Sequence, residues 1–100
     1  MGVSETPQAR VLIVDDEPTI LELLSVSLRF QGFDVRTAAA GPEALDKART
    51  FRPEAVILDV MMPKVDGIQV AHQIRERRPG TAIVVISAYE DLSFVADLMR

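Results

Sequence analysis

Three short apolar runs, each too brief for a helix and too continuous for a strand with one wet face, constrain how this chain can fold. They are Arg10-Val-Leu-Ile-Val-Asp15, Ala55-Val-Ile-Leu-Asp59 and Ala82-Ile-Val-Val-Ile86. Strands with apolar side chains on both faces must be covered on both faces, as they are in parallel α/β sheets. Between the runs the periodicity changes. Asp16-Glu17-Pro18 opens a helical stretch, with an acidic cap candidate and a proline in the first turn. Ile20, Leu21, Leu24 and Leu28 then recur at three- and four-residue spacing, and Gly32 is placed to stop the helix. Asp34 to Ala38 reads as another strand, and Gly41-Pro42 opens a helix carrying Ala44, Leu45 and Ala48, which Pro53 ends. Pro63 and Asp66-Gly67 mark a turn, after which a helix runs from about Ile68 to Arg78 with Ile68, Ala71 and Ile74 facing inward. Pro79-Gly80 breaks it, and Asp91 to Arg100 reads as a last helix with Leu92, Val95 and Met99 on one face.

Strands alternating with helices imply an α/β fold: a doubly wound parallel sheet covered on both sides. Its expected strand order is 2-1-3-4, the flavodoxin-like arrangement. That arrangement has five strands, so a fifth strand and fifth helix are expected to be absent from this chain. The expected division is a polar leader over residues 1–9 and one domain over 10–100.

Composition narrows the class. With 48% hydrophobic and 26% charged residues the chain can build a core and keep a soluble surface. A net charge of −4 and a pI near 4.9 argue against direct nucleic-acid contact, which needs a basic patch. The absence of cysteine excludes disulfides and thiolate metal sites and fits a reducing cytoplasm. No apolar run approaches the roughly 20 residues of a membrane span. Met1-Gly2 with Thr6 matches a myristoylation pattern, but no second anchoring signal follows, and a leader is the expected reading.

In open parallel sheets, ligands sit beyond the carboxyl ends of the strands. There the first strand delivers Asp15 and Asp16, the third Asp59 and the fourth Ser87. Taken singly each has a plain reading. Asp16 or Glu17 could cap a helix, Asp59 could initiate a turn before Pro63, and Ser87 could be a surface or capping serine. Together, at successive strand ends, they argue for a site. Clustered carboxylates repel and raise one another's pKa unless a cation compensates. Few protein carboxylates with open positions suit Mg²⁺, which shares its coordination with phosphate. A strand-end carboxylate beside such an ion is a nucleophile able to form an acyl phosphate, and the Ser87 hydroxyl can donate to a phosphoryl oxygen.

The blocks Val14-Asp15-Asp16-Glu17-Pro18, Leu58-Asp59-Val60-Met61-Met62-Pro63-Lys64-Val65-Asp66-Gly67 and Val85-Ile86-Ser87-Ala88, with the spacing between them, resemble a response-regulator receiver domain of two-component signalling. The resemblance covers about residues 10 to 100. It implies that Asp59 accepts a phosphoryl group from a histidine of a sensor kinase. It further implies that Asp16, Asp59 and the backbone carbonyl of Met61 bind Mg²⁺, that Asp15 acts through water, and that Ser87 is the switch hydroxyl. Residues Leu23 to Phe33 look most like receivers fused to winged-helix DNA-binding domains, which would make an output domain the regulated partner.

The family's fifth strand carries a lysine that pairs with the phosphoryl group and an aromatic residue that moves on activation. Neither is present in this sequence, so a fragment of a longer chain is expected, with strand four at an unpaired edge, one sheet face partly bare, and a tendency to form homodimers. Lys64 is read as a solvated loop residue, Tyr89 as either part of a partner surface or a plain surface tyrosine, Met62 as loop packing, and His72 as solvent-facing with no metal or acid–base role. Two further functions remain in view. One is a receiver-like interaction module that works without phosphorylation. The other is a metal-dependent phosphohydrolase, disfavoured because Val60 and Met61 leave no second carboxylate two residues after Asp59.

Overall fold

A computed structural model describes residues 8–59 and 67–86. In chain order they form β1 (Arg10–Val14), α1 (Pro18–Phe30), β2 (Asp34–Ala38), α2 (Gly41–Phe51), β3 (Ala55–Asp59), α3 (Gly67–Arg77) and β4 (Ala82–Ile86). The four strands make one sheet in the order β2-β1-β3-β4, with every neighbouring pair parallel. The strand order expected from the alternation is therefore the observed one. Residues 91–100, expected as a helix, lie outside the described residues, as do the leader residues 1–7.

Side-chain alternation splits the core into two halves. Leu12, Val14, Val56 and Leu58 point to one face, where Ala44 and Ala48 of α2 and Val70, Ala71 and Ile74 of α3 cover them. Val11, Ile13 and Val35 point to the other, against Leu21, Leu24 and Leu28 of α1 and Phe33. Leu12, Ile13 and Leu58 are fully buried, each stabilising the fold by about 1.5–3 kcal/mol relative to exposure. Val70 is a core residue that the spacing argument did not single out, while Ile68 is only partly buried. The face covered by α1 is the less complete one. Val84 of β4 is 51% exposed, and α1 turns Leu23, Val26 and Phe30 to solvent.

The helix ends show local sequence acting directly. Pro18 occupies the first turn of α1, where its missing N–H costs nothing. Glu17 holds the N-cap position without a side-chain cap bond, so its reading as a capping side chain is not borne out. At the other end, the Phe33 N–H donates to the Leu28 carbonyl and the Gly32 N–H to that of Arg29. These two bonds make a Schellman ending around Gly32, whose φ is +99°. Helix α2 ends differently. Arg52 takes the left-handed cap with φ +53°, and Arg10 Nε donates to the carbonyls of Phe51 (3.2 Å) and Arg52 (2.9 Å). At the start of α2, Glu43 accepts the Ala39 N–H at 2.8 Å and pairs with Lys47 at 3.1 Å. That N–H, and then Lys47, hold the Glu43 carboxyl below its ordinary pKa.

Two glycines separate backbone strain from space. A Cβ on Gly32 would meet only Gln8 Nε2 at 3.8 Å, but the positive φ remains. Gly80 has no such φ and no atom within 4 Å of a built Cβ. Gly32→Ala is expected to cost about 1–2 kcal/mol, and Gly80→Ala to leave stability unchanged or slightly raised. Thermal melts of the two variants check this, and equal losses would contradict the Schellman assignment.

Candidate functional site

The register of the two central strands builds the site. Val14 of β1 lies opposite Leu58 of β3, and both are buried in the α2–α3 half of the core. One residue further along each strand, the parallel chains deliver Asp15 and Asp59 side by side at the sheet's carboxyl edge. Asp16 follows on the loop into α1. One carboxylate oxygen from each of Asp15, Asp16 and Asp59 falls within 4.8 Å of the others.

The three differ in exposure. Asp15 is 2% exposed, Asp59 half-buried and Asp16 open to solvent. The Asp15 backbone N–H donates to the Ala38 carbonyl of β2 at 3.1 Å, and its Oδ1 accepts the Glu17 N–H at 2.9 Å. This short turn serves two ends at once: it satisfies a free N–H at the start of α1 and fixes the direction of the carboxylate. Burial pushes the Asp15 pKa up, the Glu17 N–H partly offsets this, and the neighbouring Asp59 and Asp16 carboxylates raise it further. Among the described residues, every charge acting on Asp15 is thus of its own sign, the signature of a pocket that a cation would complete.

The donor set fits a hard divalent ion. Two oxygens on one Mg²⁺ lie at most about 4.2 Å apart, twice the usual bond length. Oxygens spread over 4.8 Å therefore need a closure of less than 1 Å, or one bridging water. The 2.3–2.6 Å bonds of Ca²⁺ reach that spread without closure.

Of the sequence-derived site residues, the structure gathers Asp15, Asp16 and Asp59. Met61 and Ser87, together with Met62, Lys64 and Tyr89, lie outside the described residues. His72 is exposed on α3, away from the carboxylates in sequence and on a surface face. The partner that sequence reasoning missed is the Glu17 backbone N–H. Main-chain donors carry no side-chain signature, and only the Asp-x-Glu-Pro spacing hints at a turn there.

A family model described as the response regulator receiver domain matches residues 11–100. The probable transcriptional regulatory protein TcrX of Mycobacterium tuberculosis is 42% identical over 78 residues, covering 78% of this chain and 33% of its own length. The alkaline phosphatase synthesis transcriptional regulatory protein PhoP of Bacillus subtilis is 44% identical over 82 residues, 82% of this chain and 34% of its own. The chain thus spans about a third of the length of these relatives. Among solved structures, the response regulator protein TrrA of Thermotoga maritima, in complex with Mg²⁺ and BeF, matches with a TM-score of 0.79 at 40% identity. That match covers 85% of this chain and 74% of the other.

The electrostatics of Asp15 set a pH dependence. Its folded pKa lies above the unfolded value of 3.8, so between the two the folded chain holds a proton that the unfolded chain has released. Metal-free stability should therefore fall as pH rises through that window and stay lower above it. Asp15→Asn keeps an oxygen for the Glu17 N–H and removes the charge, so it should melt higher than wild type at pH 7 in chelator. Mg²⁺ at ten times its Kd should stabilise wild type by about 1.4 kcal/mol and the variant far less. A variant less stable than wild type in chelator would contradict the assignment.

Proposed function

The chain belongs to the response regulator receiver family, and on that premise we propose that it is a phospho-accepting switch in which Asp59 takes a phosphoryl group from a phosphohistidine of a sensor kinase. The observation that carries this reading is the convergence of Asp15, Asp16 and Asp59 at the end of β1 and β3. An Asp59 carboxylate oxygen attacks phosphorus, the phosphorus–nitrogen bond breaks, and the imidazole nitrogen keeps the bonding pair and takes up a proton. The product is an aspartyl phosphate. Asp59 is half-buried on a rigid strand, so its carboxylate is held for attack rather than free to turn.

Asp15, Asp16, Asp59 and the Met61 carbonyl are the proposed holders of Mg²⁺, with Asp15 acting through water. When bound, the ion neutralises charge on the transferring phosphoryl group. Asp15 is anchored by the Glu17 N–H and orients that shell, and Ser87 donates to a phosphoryl oxygen as the switch hydroxyl. Residues 10–100 form the proposed receiver unit after a leader over residues 1–9. A sensor histidine kinase is the proposed donor. A transcriptional output domain is the proposed target, in keeping with the names of TcrX and PhoP. Among the described residues no helix is long and apolar enough to cross a membrane, which fits the proposed cytoplasmic setting.

Mass spectrometry after incubation with acetyl phosphate and Mg²⁺ tests the assignment. One added phosphoryl group is expected, lost in Asp59→Asn and in chelator, and reduced at least tenfold in Asp16→Asn. An adduct that survives Asp59→Asn would place the acceptor elsewhere. Sustained turnover of a phosphoester without a stable adduct would favour a hydrolase.

A further inference from the structure

The opposite pole of the sheet has the opposite electrostatic character. The amino ends of the parallel strands and the carboxyl ends of α2 and α3 meet there. Arg10, Arg52, Arg77 and Arg78 line an open cleft of about 580 Å³, with Glu54 as its one carboxylate among the described residues. Glu54 is committed to Arg10, accepting its backbone N–H at 3.1 Å and standing 3.5 Å from its guanidinium. Arg10 also spends its Nε on the α2 terminal carbonyls. The guanidinium groups of Arg52, Arg77 and Arg78 have no ion pair or hydrogen bond among the described residues. The cleft carries a surplus of three positive charges in a chain whose net charge is −4. The two helix ends supply only about half a negative charge each, so cationic side chains complementing helix dipoles account for a minority of that surplus.

A second cavity adjoins the first. Leu45 and Ala48 of α2 and Ile74 of α3 line an apolar slot of about 210 Å³, and Arg77 and Arg78 border both spaces. Arg49, the remaining cation at the slot, is neutralised by Asp46. Together the two spaces fall in the size range of small-ligand sites. The slot is large enough for a ring system and too small for a long acyl chain. Guanidinium groups around the open part match phosphate oxygens in geometry as well as charge.

We propose that this paired cleft binds a ligand of the nucleoside phosphate class, with its base in the slot between α2 and α3 and its phosphates among Arg52, Arg77 and Arg78. The site lies at the other end of the strands from Asp15 and Asp59 and does not depend on the phosphoacceptor reading.

Titrating ATP into the whole protein in chelator, with backbone NMR as readout, tests this without metal-mediated binding at the carboxylates. Shifts should centre on Leu45, Arg52, Arg77 and Arg78. Adenosine alone and tripolyphosphate alone should each bind at least tenfold more weakly than ATP. Arg77→Ala/Arg78→Ala should weaken ATP at least tenfold, and Arg77→Gln, at an exposed position, at least threefold. Arg36→Ala, whose guanidinium already pairs with Asp34 at 2.9 Å, should change it less than twofold. Shifts centred elsewhere, or a double variant that folds and binds like wild type, would overturn the proposal. Tripolyphosphate binding as tightly as ATP would reduce the site to undirected charge attraction and also overturn it.

Discussion

The parallel pairing of β1 with β3, with Val14 opposite Leu58, governs the rest of this structure. It buries both side chains under α2 and α3, and it leaves the next residue of each strand, Asp15 and Asp59, with nowhere to go but the same rim. A slip of one residue in either strand would turn its own pair, Leu12 and Val14 or Val56 and Leu58, out of their half of the core. Hydrophobic burial thus holds together carboxylates that repel each other. The repulsion is visible in Asp15, whose pKa is raised by burial and then by its neighbours. The site is preorganised by a force that has no share in its chemistry.

The same geometry polarises the molecule. Parallel strands put all their carboxyl ends on one side, where Asp15, Asp16 and Asp59 gather, and all their amino ends on the other, with Arg10 at the start of β1. Helices α2 and α3 run back against the strands and deliver Arg52 and Arg77 to that second pole. An acidic chain of 100 residues therefore carries one face suited to a cation and another suited to anions.

Much of this was legible in the residues. The strand boundaries Ala55–Asp59 and Ala82–Ile86 follow from the apolar runs alone, because a strand covered on both faces needs nothing more than unbroken hydrophobicity. Gly32 announced the end of α1 for a comparable reason, since its conformation is one that few other residues adopt cheaply. Arg52 at the end of α2 gave no warning. Its left-handed backbone accompanies Arg10 Nε bonds to the carbonyls on either side, a tertiary interaction 41 and 42 residues away in sequence. Val70 was missed because the helix spacing that marks Ala71 and Ile74 leaves its neighbour ambiguous until α2 is in place. The carboxylate cluster could be read from strand ends, whereas the Glu17 N–H that aims Asp15 could not.

The central claim is that Asp15, Asp16 and Asp59 act as one divalent-cation site at the rim. Paramagnetic broadening of amide resonances by substoichiometric Mn²⁺, displaced by Mg²⁺, measures this most directly. The account predicts that the amides of Asp15, Asp16 and Asp59 broaden first and that Mg²⁺ restores them. Broadening centred on other acidic residues, such as Asp34, Asp46 or Glu54, with those three unaffected, would contradict it.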